Sequence, residues 1–235
     1  QYRLLPVRGG GGLFSPGQLA LLKGVHPRCR HAAISTTYVA GIDIAGEAEL
    51  DEREAAGTCD GRRDSTVLTI AELDFSGGSP AGPVIRVVEH YAWRGVSHAS
   101  LYPRLVDLLK NTWRCRRVVV DATGMGEPVA SFLQKALGGR VLPFKFTAPS
   151  KSELGYNMVA AVNAGRVKLY RQDGSAEYRE CLFQLEKARA NYRPSRALNF
   201  SVDPAVGHDD YLASLALCVE AAEGCHKRTA KGTAI

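Results

Sequence analysis

The sequence predicts an α/β fold in which a mixed sheet, made of a three-strand antiparallel meander plus parallel strands, is flanked by helices. Three apolar, β-branched stretches come first and show no helical period. Leucines at helical spacing follow, and lead to three valines, Val118–Val120, that end at Asp121 and break on Gly124 and Gly126. Because a helical crossover returns the chain in its original direction, the valine strand is expected to lie parallel to a neighbour.

The domain organisation is predicted from composition. Residues 1–37 are rich in Gly, Pro and Arg, which is typical of a linker, with one short helix expected from Ser15 to Leu22. We expect one α/β domain over residues 38–224. A basic tail at 225–235 is expected to be disordered.

Three strands open the domain, each apolar and rich in β-branched residues. They are Tyr38–Ala45, Ser65–Phe75 and Val84–Arg94. The acidic, Ala-rich segment 46–64 is interpreted as a surface excursion between the first two strands, and a Gly/Pro-rich link joins the second to the third. Short links between successive strands predict an antiparallel meander.

The later elements are predicted from leucine spacing, glycine breaks and capping residues. They are a helix from Ser97, the Val118 strand, a helix Glu127–Leu137, a strand Val141–Thr147, a helix from Pro149 to about Gly165, a short strand Val167–Tyr170, a polar helix Ala176–Ala190, a strand Leu198–Val202 and a helix headed by Asp209 and Asp210. This order fits a ribonuclease-H-like mixed sheet.

Composition limits the class of protein. The 235 residues are 45% hydrophobic, enough for a packed core, and the net charge of +6 indicates an anionic partner only weakly. Six scattered cysteines show no CxxC spacing, which favours reduced thiols over a disulfide framework. No apolar run has the length of a membrane span and no signal peptide is visible, so no membrane partner is expected.

Four aspartates are the candidate catalytic and metal-binding residues. The crossover can bring the strands of Asp43 and Asp121 side by side, and the helix that starts at Asp209 and Asp210 could add a third acid. Converging carboxylates repel unless hard cations lie between them, which predicts two divalent cations, Mg²⁺ or Mn²⁺. Two such ions suit phosphodiester cleavage by activated water. Asp209 and Asp210 point apart on a helix, so one is expected to bind metal and the other to lie beside it.

Each acid also has an ordinary structural explanation. Asp43 could cap a turn, Asp121 could form an Asx turn, and acids at a helix start are favoured by capping alone. Asp64 is interpreted as a turn residue rather than a ligand. Candidate contacts to a nucleic-acid backbone are basic residues near the later elements, for which a solvated charged face is the alternative. They are Lys145, Lys151, Arg193, Arg196 and His208.

Three stretches resemble the nuclease domain of the phage large terminase subunit. They are Tyr-Val-Ala-Gly-Ile-Asp-Ile-Ala-Gly with a following Asp-Ser-Thr-Val, then Val-Val-Val-Asp-Ala-Thr-Gly-Met-Gly, then Gly-His-Asp-Asp-Tyr-Leu-Ala-Ser-Leu-Ala-Leu. The resemblance runs from about Tyr38 to Ala222, and the His-Asp-Asp element before an Ala/Leu-rich helix is its most specific part.

The resemblance implies a ribonuclease-H-like endonuclease that uses divalent metal to cut concatemeric viral DNA during genome packaging, with low sequence specificity. It implies metal-ligand roles for Asp43, Asp121 and the Asp209–Asp210 pair. It also implies double-stranded DNA, an ATPase domain, a small terminase subunit and a portal as partners, and action in the host cell cytoplasm rather than in the mature virion. No GxxxxGK[ST] phosphate loop occurs, so motor activity is not predicted and an excised nuclease domain is expected.

The sequence is also consistent with three other functions. The chain could be another nuclease of the same fold, such as a Holliday-junction resolvase or a transposase. Gly46 and Gly124–Gly126 could instead belong to phosphate loops of a nucleotide-binding module. A DNA-binding platform with structural acids would bind DNA without cutting it.

Overall fold

The computed structural model describes residues 11–45, 65–77 and 82–225. Within these ranges the strands are β1 Gly11–Gly12, β2 Thr37–Asp43, β3 Ser65–Asp74, β4 Val84–Arg94, β5 Arg117–Asp121, β6 Val141–Phe144, β7 Val167–Lys168, β8 Arg189–Tyr192 and β9 Leu198–Ser201. The α-helices are α1 Pro16–Leu22, α2 His98–Asp107, α3 Gly126–Leu137, α4 Ala148–Asn163, α5 Ala176–Lys187 and α6 Asp210–Glu223. A π-helical turn at Leu108–Thr112 continues α2, and a 3₁₀ turn at Gly138–Arg140 follows α3.

The main sheet has six strands in the order β6-β5-β2-β3-β4-β7. Strands β2, β3 and β4 form the antiparallel meander, while β5 lies parallel to β2 and β6 lies parallel to β5. The predicted fold class is therefore confirmed, including the parallel pairing of the valine strand. The edge strand β7 is parallel to β4.

Helices cover both faces of this sheet. Val39, Val67 and Val119 belong to one hydrophobic cluster, which includes residues of α4, α5 and α6. Ile42 and Val120 belong to a second cluster, with residues of α2 and α3. Since successive strand residues point to opposite faces, odd-numbered positions of β2 and β5 lie on the α6 side.

Helix α6 lies unusually close to β2 because Gly41 has no side chain. A Cβ atom at Gly41 would lie 2.1 Å from the Ser214 carbonyl oxygen and 2.2 Å from the Cys218 amide nitrogen. One turn nearer the start of the helix, the hydroxyls of Ser214 and Thr69 form a 2.7 Å hydrogen bond. These contacts fix the position of α6 along β2 and β3.

The described part of the N-terminal segment packs against the domain. Leu13, Phe14 and Leu22 are buried in the cluster on the α6 side, and β1 pairs with β8. The helix expected from Ser15 is α1, whose Ser15 side chain accepts a hydrogen bond from the Gln18 amide. Residues 11–37 therefore pack against the domain through a few buried apolar side chains, whereas their glycine-rich composition had predicted a tether.

The predicted helix Ala176–Ala190 is too long. Helix α5 ends at Lys187, and Arg189–Tyr192 forms β8, which pairs antiparallel with β9. The hairpin was missed because only Ala190 of β8 is buried, so the strand shows no apolar alternation.

Several predictions fall on residues that the structure does not describe. The excursion at 46–64, including Asp64, and residues 226–235 of the tail lie outside the described ranges. Cys225, the first residue of the predicted tail, is buried. Among the described helices, none is both long and apolar enough to cross a bilayer. The five described cysteines are free thiols.

Candidate active site

Asp43 and Asp121 end two neighbouring parallel strands. The register pairs Ile42 of β2 with Val120 of β5, so the aspartates that follow occupy equivalent positions at the carboxyl edge of the sheet. Both are odd-numbered and therefore lie on the face that α6 covers. The arrangement expected from the crossover is present.

A tight turn holds the Asp121 carboxylate. Its Oδ1 accepts a 2.8 Å hydrogen bond from the Thr123 amide, so the Asx turn is present as well. Gly124 has a φ of 54°, and a Cβ atom at Gly126 would lie 2.3 Å from the Asp121 carbonyl oxygen. Both glycines of the Gly-x-Gly break are thus required by the turn.

Burial affects the charge of Asp121. The residue is 9% exposed, and desolvation raises the pKa of its carboxyl group, while hydrogen bonds from Thr123 and the charge of Lys151 act in the opposite direction. A buried carboxylate of this kind is stabilised by nearby positive charge. A cation at the edge would supply it.

The start of α6 brings the third acidic element to the same edge. Asp210 is buried, and its Oδ2 accepts a 2.9 Å hydrogen bond from the Ser65 amide at the start of β3. Strand β3 is the neighbour of β2 on the side away from β5. Asp209 is the N-cap residue of α6, half-buried, and its side chain makes no capping hydrogen bond. Capping therefore does not explain why an acid stands at Asp209.

The described acids do not form a closed metal cage. Within the described residues, no three Asp, Glu, His or Cys side chains converge tightly enough to hold an ion. The donor type nevertheless fits Mg²⁺ or Mn²⁺, because these ions prefer carboxylate oxygens and Mg²⁺ commonly keeps several waters while bound by one or two carboxylates. Asp43 and Asp121 would supply the two carboxylates that such an ion needs.

Basic residues lie on the α4 side of this edge. Lys151 of α4 influences the Asp121 carboxyl, and its Nζ lies over the rings of Phe146 and Phe200. Lys145 forms an exposed 3.2 Å ion pair with Glu127 at the start of α3. His208, half-buried, directly precedes the acids of α6.

The hairpin that the sequence analysis missed carries the other two candidate DNA contacts. Arg193 and Arg196 form the turn between β8 and β9, closed by a 2.8 Å hydrogen bond from the Arg196 amide to the Arg193 carbonyl. Tyr156 of α4 donates a 2.7 Å hydrogen bond to the Arg196 carbonyl. A cavity of about 210 Å³ between α4 and this turn is lined by Lys151 and Arg193. Lys151 and the hairpin arginine thus share one surface.

A model of the terminase RNase H-like domain matches residues 54–220. The chain belongs to this terminase family. Its RNase H-like fold agrees with the six-stranded mixed sheet described above. No curated protein sequence matches the chain significantly.

Solved terminase structures share the fold of this family member. The nuclease domain of the Thermus phage P74-26 large terminase is 19% identical, with a TM-score of 0.64 over 93% of this chain and 100% of that one. The large terminase nuclease of thermophilic phage G20c is 20% identical, with a TM-score of 0.63 over 89% and 97% of the two chains. A magnesium-bound structure of the G20c nuclease is 21% identical, with a TM-score of 0.63 over 89% and 96%.

Proposed function

We propose that this terminase domain is a metal-dependent DNA endonuclease of low sequence specificity that cuts concatemeric viral DNA during genome packaging. The observation that carries the proposal is the pair Asp43 and Asp121, which end adjacent parallel strands next to the start of α6. Family membership supports the same reaction class.

The proposed metal ligands are Asp43 and Asp121, together with Asp209 or Asp210. Magnesium bound to the G20c nuclease, which has the same fold, supports a divalent cation here. Two such ions, Mg²⁺ or Mn²⁺, would activate water and stabilise the attacking and leaving oxygens at phosphorus. The protein contributes preorganised carboxylates, because Thr123 orients Asp121 and Ser65 orients Asp210.

The proposed DNA contacts lie beside these acids. Lys151 and Arg193 line one cavity beside α4, and Arg196 lies against Tyr156 of the same helix, while Lys145 and His208 flank the carboxyl edge. Cations of this kind contact phosphates and bind DNA without reading its sequence. This supports cleavage with little sequence preference.

The wider assembly is proposed from the family alone. Double-stranded DNA is the proposed substrate, and the ATPase domain, the small terminase subunit and the portal are the proposed partners. The proposed place of action is the cytoplasm of the host cell.

The test is plasmid cleavage by the purified domain in Mn²⁺, Mg²⁺ or EDTA. We expect wild-type protein to nick and linearise the plasmid only with metal. Asp121→Asn keeps the size of the side chain and an oxygen that can accept the Thr123 hydrogen bond, but it removes the charge. This variant is expected to lose at least 100-fold in rate, as removal of one preorganised electrostatic group commonly does.

Glu186→Gln is the matched control. Glu186 is an exposed acid of α5, so its neutralisation changes the net charge equally without touching the carboxyl edge. Cleavage that survives in Asp121→Asn, or that proceeds equally in EDTA, would refute the proposed function.

A further inference from the structure

A basic cavity lies at the end of the sheet opposite the aspartates. It measures about 840 Å³ and is lined by the start of β2, the chain that leads into β5, the π-helical turn and the end of the 3₁₀ turn that precedes β6. The four cations that line it are Lys110, Arg114, Arg116 and Arg140. No carboxylate is among its lining residues.

The cavity is well separated from the proposed catalytic edge. It borders Thr37, at the first residue of β2, whereas Asp43 is the last residue of the same strand. A strand rises about 3.3 Å per residue, so six steps correspond to about 20 Å. A ligand in the cavity therefore does not touch the aspartates.

Three of the four cations are available for a ligand. Lys110, Arg114 and Arg140 are exposed, and none of them forms an ion pair with any residue of the described ranges. Arg114 also has a φ of 50°, a left-handed conformation that is uncommon for a residue with a side chain. Three positive charges without an ion-pair partner in the described ranges favour an anion in this cavity.

The remaining lining groups favour phosphate over other anions. Thr36, Thr37 and Asn111 add hydroxyl and amide groups, and side chains of these types accompany Arg and Lys at the phosphates of nucleic acids. The aromatic residue of the lining, Tyr38, is 3% exposed and packs edge-on against Trp113. Because no open ring face is offered to a base, the ligand is recognised through its phosphates rather than as a nucleotide.

We propose that this cavity is a second phosphate-binding site, which holds the backbone of DNA at a point about 20 Å from the carboxyl edge. The choice of DNA rests on the proposed function, whereas the phosphate chemistry stands on the cavity itself. The site increases the affinity for DNA without distinguishing between base sequences.

The test measures binding of a fluorescent 30-base-pair duplex in EDTA, so that no cleavage is needed. The logarithm of the association constant is plotted against the logarithm of NaCl concentration for wild type and for Lys110→Gln/Arg140→Gln. Each lost phosphate contact lowers the steepness by about one, so the double variant is expected to be shallower by about two. Both residues are exposed, so folding is expected to persist and is checked by circular dichroism.

The matched control is Lys23→Gln/Arg171→Gln, which removes two exposed cations beside β7, three strands from β2. Its slope is expected to match wild type. Equal slopes for all three proteins would overturn the inference, and so would an absence of duplex binding by wild type in EDTA. Binding of pyrophosphate or poly-glutamate that needs Lys110 and Arg140, with an unchanged DNA slope, would also overturn it. Plasmid cleavage is scored separately, so either proposal can fail alone.

Discussion

At the scale of single residues, two aspartates of the carboxyl edge, Asp121 and Asp210, accept hydrogen bonds from backbone amides. Asp121 accepts from Thr123, two residues away, and Asp210 accepts from Ser65, which is 145 residues away in the chain. The first contact is local and the second joins the start of α6 to the start of β3. Asp210 therefore contributes to folding as well as to the proposed site.

Asp210→Ala is expected to lower the free energy of unfolding by about 1–3 kcal/mol, because it leaves the amide of buried Ser65 without its acceptor. Asp210→Asn keeps an acceptor oxygen and is expected to retain most of that stability. Urea unfolding of the two variants measures the difference. Equal stability of Asp210→Ala and wild type would show that the hydrogen bond contributes nothing.

The burial of His90 is expected to make the stability of the fold depend on pH. It is buried, and its Nε2 has no hydrogen-bond partner among the described residues. Burial, aided by the charge of Arg28 and opposed by Asp173, lowers its pKa from 6.5 to about 3. Between these values the unfolded chain binds more protons than the folded one, so stability falls as pH drops below 6.5.

The expected contribution of His90 is about 1 kcal/mol per pH unit between pH 6 and pH 5. His90→Gln removes the titrating group, so its unfolding free energy should decline less steeply than that of wild type over this range. Urea unfolding at several pH values gives both slopes. Parallel slopes would mean that His90 titrates alike in the folded and unfolded chain.

The residue scale also shows what the sequence could predict. Asp43 and Asp121 can be recognised in the sequence because each is an acid at the end of an apolar strand. The parallel direction of the two strands then places both acids at the same edge of the sheet. The partner of Asp210 could not be predicted, since a hydrogen bond across 145 residues depends on how α6 lies on the sheet. Lys151 showed no link to Asp121 in sequence for the same reason.

At the scale of elements, the close contact between α6 and β2 fixes the acids of α6 relative to those of the strands. Gly41 permits that contact, and the Ser214–Thr69 hydrogen bond maintains the register. The pattern that predicted α6, a stripe of Leu and Ala, gives no information on this register. Helix position is thus set by one glycine and one pair of hydroxyls.

Gly41→Ala is expected to lower the free energy of unfolding by about 1–3 kcal/mol or more, because its Cβ would meet the backbone of α6. Displacement of α6 should also reduce plasmid cleavage. Gly139→Ala is the control, since nothing lies within 4 Å of a Cβ there. Chemical unfolding and cleavage rates are the measurements, and an active, fully stable Gly41→Ala protein would contradict the packing argument.

The β8–β9 hairpin yields a prediction about DNA binding. Arg193→Gln/Arg196→Gln is expected to raise the KM for plasmid on the order of tenfold and leave kcat nearly unchanged, because lost phosphate contacts weaken ground and transition states alike. Steady-state cleavage kinetics measure both constants, with Lys23→Gln/Arg171→Gln as the control. A fall in kcat at constant KM would instead assign these arginines to the chemical step.

The hairpin also shows where pattern reading fails. Strands β2, β3 and β5 were predicted correctly because they are buried and β-branched, whereas β8 buries only Ala190 of its four residues. A polar strand at the surface is specified by its partner, here β9, and by β1 on its other side. Such pairing leaves no signal in local composition.

At the scale of the whole molecule, charge is divided between the two ends of the main sheet. Asp43 and Asp121 end β2 and β5, whereas Lys110, Arg114 and Arg140, which form no ion pair with a described residue, lie around the opposite ends of the same strands. The net charge of +6 does not reveal this separation of charge. The fold, rather than the composition, creates both the acidic edge and the basic cavity.

Calorimetric titration with Mn²⁺ tests whether the aspartates of the carboxyl edge hold divalent cations. Wild type and Glu186→Gln should bind alike, whereas Asp43→Asn and Asp121→Asn should each lose at least tenfold in affinity, a free-energy difference of about 1.4 kcal/mol. Far-ultraviolet circular dichroism checks that both variants fold. Unchanged Mn²⁺ binding in the two folded variants would contradict the claim.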